Sequence, residues 1–192
     1  KLQPNETHTF TIEEKVNLGD PIAIYGAAHI KALDLSSMSD RISVLQLSGV
    51  YDEVLGTRLE SLKIGASSKE NNTLKDVSGI KSAKSLVDLD VTNLKALTSL
   101  DLSENVYLKE LRASGTNIAN VVFAEGAPVT YIRLPNTFKV INFKSLPFLT
   151  TDGIVHDDLS AIETIRISDC PNISSNFDWV YSWYKNKSVS ND

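Results

Sequence analysis

The chain has 192 residues, 42% of them apolar and 22% charged, enough to bury a core and suited to a single domain. A formal charge of -5, a pI near 5.2 and dispersed Lys and Arg residues argue against nucleic-acid binding, which calls for a basic stripe. Cys170 is the only cysteine, so no internal disulfide can form, and no apolar run approaches the roughly 18 residues needed to span a membrane.

The chain begins at Lys1 rather than a methionine, so we expect a processed product or a piece of a larger protein, with any signal peptide or anchor upstream. Within residues 1–29, Thr9–Ile12 and Ile22–Tyr25 alternate polar with apolar or small residues around the turn sequence Asn17–Pro21. This stretch reads as a linker and an N-terminal β cap, which a stack of repeats needs to cover its open apolar end.

From Ile30 onward one pattern recurs: an apolar residue, two variable ones, a second apolar, one variable and a third apolar. It is clearest in Leu97/Leu100/Leu102, Leu108/Leu111/Ala113, Ile118/Val121/Phe123, Val129/Ile132/Leu134 and Phe138/Ile141/Phe143. Units start at Ile30, Ile42, Leu59, Leu74, Leu86, Leu97, Leu108, Ile118, Val129, Phe138, Leu149 and Ile162. Their mean spacing of about 12 residues is half the roughly 20–29 of a leucine-rich repeat, whose core pattern this is. Two units per turn, one strand on each face, account for the short beat. The expected fold is therefore mainly β: a leucine-rich-repeat-like solenoid over residues 30–174 with about two short strands per turn. Alternate units then form face A (Ile30, Leu59, Leu86, Leu108, Val129, Leu149) and face B (Ile42, Leu74, Leu97, Ile118, Phe138, Ile162).

The two long spacings fall at Val50–Arg58 and Gly65–Asn72. The second has the Gly/Ser/Asn composition of a protruding loop, which fits either a recognition element or a tolerated insertion. Leu149 starts the weakest unit, because Asp152 stands at its fourth position; a bulge or a miscounted unit is expected there. Residues 175–192 read as a C-terminal cap and polar tail. Ser175 and Asp178 resemble a capping box, and Trp179/Trp183 and Val180/Tyr184 fall at i,i+4 on a short aromatic helix. Trp179, Trp183 and Tyr184 either close the stack or dock a neighbouring chain.

No catalytic, cofactor-binding or metal-binding constellation stands out. His8, His29 and His156 lie far apart without partners at metal spacing, and glycine-rich phosphate loops, GxSxG and HExxH are absent. Asp157-Asp158 reads as a solvated turn. Cys170 and Asn105 occupy the place after the third apolar residue where a side chain satisfies turn backbone groups, a structural role. Sequons begin at Asn5, Asn71, Asn172 and Asn186. An enzyme is thus not expected.

Surface geometry remains. First, fourth and sixth residues point inward, so third and fifth residues project outward and stack about 4.8 Å apart between turns. On face A this yields the ladders Asp88–Glu110–Tyr131–Thr151 and Asp90–Arg112–Arg133; on face B, Ser99, Asn120, Val140, Thr164 and Asp101, Val122, Asn142, Arg166. Asp88, Asp90, Glu110, Arg112, Tyr131 and Arg133 mix an aromatic with charges, as contacts to a protein or glycan do. The bland alternative is a solvated face on which Asp90 and Arg112 pair across strands. Replacing Arg112 and Tyr131 by alanine is then expected to weaken binding without lowering the melting temperature.

The run Tyr131–Ile141 (YIRLPNTFKVI) resembles the I-x-LP-x-(S/T)-(L/F)-x-x-I signature of bacterial leucine-rich repeats of the Treponema/BspA type. The wider order, from Asp20–Gly26 through Leu62–Gly65, Leu111–Thr116 and Phe123–Ala127 to Ile165–Ile173, is similar to repeat regions of gut-bacteriophage virion or tail-associated proteins and of Bacteroidetes surface proteins. It departs from that type in its irregular repeat length. The resemblance implies a non-enzymatic interaction, adhesion or virion structural module at a cell surface or virion. Such a module would present a rigid repeat face to a host ligand or neighbouring subunit, with no cofactor, no nucleic acid and no membrane insertion. The alternative it implies is a non-catalytic targeting domain of a larger glycan-degrading protein.

Overall fold

The computed structural model describes residues 30–47, 51–52 and 57–173. The expected β cap, and the aromatic helix carrying Trp179, Trp183 and Tyr184, lie outside the described residues. Parallel strands stack as a β-solenoid. Face A is one sheet of six strands in the order β1 (Ala32–Asp34), β4 (Ser61–Lys63), β5 (Asp88–Asp90), β7 (Glu110–Arg112), β9 (Tyr131–Leu134) and β11 (Ile154–His156). Between β1 and β4, β2 (Tyr51–Asp52) pairs antiparallel with β3 (Thr57–Arg58).

Register follows from burial. Sliding any strand by one residue would turn its apolar side chains to water. The register partners Leu33, Leu62, Leu89, Leu111, Ile132 and Ile154 form one column through the core. All but the terminal Leu33 are buried, and each such side chain contributes about 1.5–3 kcal/mol. Beyond the stacked strands turns close by i+3 to i hydrogen bonds, as in Leu97 N to Leu94 O and Leu108 N to Asn105 O, 3.1 Å each. The first residue of these two turns is buried, so the corners belong to the core.

Where the corner residue is polar, its side chain joins successive turns. Fully buried Asn71 donates from Nδ2 to Ser39 O (2.5 Å) and Ile42 O (2.6 Å), while its Oδ1 accepts from Thr73 N (2.8 Å) and Leu74 N (2.7 Å). Asn105 repeats the donating half, to Ile80 O at 3.0 Å and Ala83 O at 2.9 Å. Asn71 of the second sequon is therefore occupied within the core.

Three expectations are corrected. The last face A unit starts two residues later than Leu149: Thr151, Ile154 and His156 take the inward positions, so Thr151 is not in the outward ladder with Tyr131. The reason is local. Thr150 Oγ1 accepts from Gly153 N and winds Thr151–Gly153 into a 3-10 turn, while Gly153 lies so close to Thr130 O that a Cβ would sit 2.1 Å from it. Second, face B is not one sheet. Among the described residues, β6 (Ser99–Leu102) pairs with β8 (Asn120–Phe123) and β10 (Val140–Lys144) with β12 (Thr164–Ser168), whereas the units at Ile42 and Leu74 show no face B strand and the latter runs into a 3-10 turn, Ser78–Ser82. Between the turns of β8 and β10 the Thr137 hydroxyl donates to Ile118 O at 3.0 Å, and Phe123 packs edge-on against Phe143 with centroids 5.7 Å apart. Third, Asp90 and Arg112 are register partners, yet they do not pair, as described next.

Candidate functional site

The outward face of the six-stranded sheet carries Asp88 directly opposite Glu110. Two carboxylates in that relation repel. Arg112 resolves the repulsion by donating from Nη1 to Asp88 Oδ1 at 2.6 Å and from Nη2 to Glu110 Oε2. Partial burial pulls its guanidinium pKa down, but Asp88 and Glu110 outweigh that and hold it above the ordinary arginine value. On the next strand, the Tyr131 ring lies with its centroid 5.7 Å from the Arg112 guanidinium carbon. Asp90 instead accepts from Thr92 N at 2.9 Å, fixing the turn after β5.

Arg133 donates from Nε to Asp157 Oδ1 at 3.2 Å. The same carboxylate accepts from Ser114 Oγ (2.9 and 2.8 Å) and Gly115 N (3.0 Å). Lys63 faces Asp34 at 3.6 Å, and the Asp34 carboxyl lies below its ordinary range, because the loss of solvent that would raise it is outweighed by the side-chain and backbone hydrogen bonds of Ser36 and by Lys63.

Over this face hangs the Gly65–Asn72 insertion, held at both ends and in the middle. Gly65 passes so close to the next turn that a Cβ would stand 2.2 Å from Thr92 N and O. Ala66 O and Ser67 O accept from Asn93 Nδ2 at 3.0 and 3.2 Å; Asn93 itself adopts φ 61°. Lys69 donates to Ser37 O and pairs with Asp40 at 3.1 Å, and the Asp40 carboxyl is lowered chiefly by Lys69. Asn71 then returns the chain to the core.

Between loop and sheet lies an open groove of about 530 Å³. Its lining includes Asp90, Arg112, Tyr131 and Arg133 from the expected face, joined by Lys63 of the same sheet and Thr92 of the turn after β5. Ser36, Ser37, Ser67, Ser68, Lys69 and Ser114 complete it with Ala66. Asp88 and Glu110 lie behind Arg112 and do not line the groove. A smaller cavity, about 320 Å³ between residues 43–47 and 76–79, holds one carboxylate, Asp76, already engaged by Ser78 N at 2.7 Å.

Sequence reasoning nominated four of the lining residues and the loop separately. The spacing does not bring them together, leaves Lys63, Thr92 and Ser114 unmarked, and presents Asp157 as part of a solvated turn, whereas it accepts from Ser114 and Gly115. The long spacing at Gly65–Asn72 was the available signal for the loop side; nothing in the sequence pointed from Asp157 to Ser114. Elsewhere His156 is buried, with Nε2 2.9 Å from Phe138 O and Nδ1 accepting from Asp158 N at 3.0 Å. Cys170 is buried with Sγ 3.3 Å from Ser168 O. Among the described residues no three His, Cys, Asp or Glu side chains converge as a metal site, and no helix is long and apolar enough to cross a membrane. Compared with known proteins, the chain matches no family model, no curated protein and no solved structure.

Proposed function

We propose that this chain is a non-enzymatic interaction module of leucine-rich-repeat type, displayed on a cell or virion surface, which binds its ligand in the groove between the Gly65–Asn72 loop and face A. One observation carries the reading. An insertion that is merely tolerated has no reason to be fixed, whereas this one is fastened by Lys69, Asn71 and Asn93 over the surface that holds Tyr131, Arg112 and Arg133. Rigid placement lowers the entropic cost of binding. The groove's ion pairs favour recognition over proton transfer, since each of its cations already faces a carboxylate. The corner asparagines at 71 and 105 support the repeat type, because bonding the previous turn's carbonyls is the role that the Asn or Cys position of the repeat is built for.

The test is binding of the fluorescently labelled chain to intact cells of gut Bacteroidetes. Saturable binding that falls about tenfold with Tyr131→Ala is expected, at one aromatic contact's worth of affinity. Binding that is absent, or indifferent to both Tyr131→Ala and deletion of Ser67–Lys69, overturns the assignment.

A further inference from the structure

We infer that the ligand of this groove is an uncharged oligosaccharide, an inference resting on the groove being the binding site. The lining argues for it. Ser36, Ser37, Ser67, Ser68, Thr92 and Ser114 bring hydroxyls to one space from separate segments of the fold, and Ala66 is the sole aliphatic residue among them. A protein ligand draws most of its affinity from apolar and aromatic anchors seated in dry pockets. The groove offers no aliphatic floor for such an anchor.

A polyanion gains by displacing small counterions from free cations. Here Lys63 faces Asp34, Lys69 faces Asp40, Arg112 faces Asp88 and Arg133 faces Asp157, so the cations are already neutralised by fixed carboxylates. A neutral ligand suits this lining. Its four cations, Asp90 and six Ser and Thr hydroxyls bring donors and acceptors together, and each hydroxyl of a sugar diol both donates and accepts. Tyr131, with Arg112 over its ring, adds a flat surface for the C–H face of a pyranose. A volume of about 530 Å³ accommodates a short oligosaccharide and falls within the roughly 300–1,000 Å³ of small-ligand sites.

Titration calorimetry of the whole chain against neutral gluco-, manno- and galacto-oligosaccharides, with oligogalacturonate as acidic comparison, tests this, together with cell binding after periodate or protease treatment. The expected result is saturable binding of a neutral oligosaccharide, or cell binding abolished by periodate, weakened about tenfold by Tyr131→Ala. Thr92→Val, which keeps the shape and removes one groove hydroxyl, is expected to weaken it several-fold, and Asn120→Ala on face B to leave it unchanged. Preference for oligogalacturonate, or cell binding that survives periodate and is lost to protease, overturns the sugar while leaving the groove as the binding site. Absence of any saturable binding overturns both.

Discussion

Asp157 and Ser114 are 43 residues apart in sequence and two strands apart on face A, yet the Asp157 carboxylate accepts from the Ser114 hydroxyl at 2.8 Å. It spans the corner after β9, where Pro135 has no N–H to offer, and ties the last strand of the sheet to the turn after β7 while holding Arg133 at the groove. Asp157→Ala is expected to lower stability by about 1–3 kcal/mol, because Gly115 N–H and Ser114 lose their acceptor together. Asp157→Asn should lie between, and urea unfolding midpoints at unchanged slope would show it.

Asn71→Ala is expected to be the most damaging of the corner substitutions, at about 2–4 kcal/mol. It leaves two carbonyls of the preceding turn without donors and two turn N–H groups without an acceptor. Asn105→Ala removes only the donating pair and leaves Oδ1 bonds out of account, since that atom has no partner; its loss should be smaller. Parallel thermal melts would rank the two.

Gly65→Ala is expected to disturb loop and groove at once. Its Cβ would meet backbone atoms of Thr92 at 2.2 Å and Val91 C at 2.7 Å, and backbone cannot swing away as a side chain can. A cost of about 1–3 kcal/mol is expected, with ligand binding lost more steeply than stability. Leu111→Ala, in the middle of the core column, should cost about 2–5 kcal/mol without a selective effect on binding.

Arg112 calls for a revised expectation. Because it separates Asp88 from Glu110, Arg112→Ala should lower the melting temperature as well as weaken binding, and the loss should shrink in the Glu110→Gln background, where no pair of like charges remains. Tyr131→Ala is the variant that reads binding with the charge clamp intact.

Acid should loosen the Lys81–Asp101 ion pair only at the bottom of the pH range. Lys81, 2.5 Å away, holds the Asp101 carboxyl at about 2, below its ordinary 3.8, with Ser103 assisting. A carboxylate whose folded pKa is depressed contributes stability that is fully present above the unfolded value and is lost as pH falls through the folded one. The contribution of Asp101 is therefore complete above about pH 4 and declines toward pH 2, and Asp101→Asn should flatten that part of the stability profile. Salt should reduce the effect, since both side chains are exposed.

The repeat beat determined by itself which side chains face inward. Leu62, Leu89, Leu111 and Ile132 are interchangeable apolar residues at fixed spacing, and burial leaves one register in which all are dry. It also determined that Asp88, Glu110 and Tyr131 stack on adjacent strands, because stacking follows from spacing alone. What spacing could not decide was which groups would meet across turns. The start of the last face A strand rested on one Thr150 hydroxyl and the tight approach of Gly153. The groove required a loop to be carried back over the sheet by Lys69, Asn71 and Asn93, each bonding a residue 26 to 32 positions away. Such contacts depend on how turns of unequal length are superposed, and that is settled only when the whole coil packs.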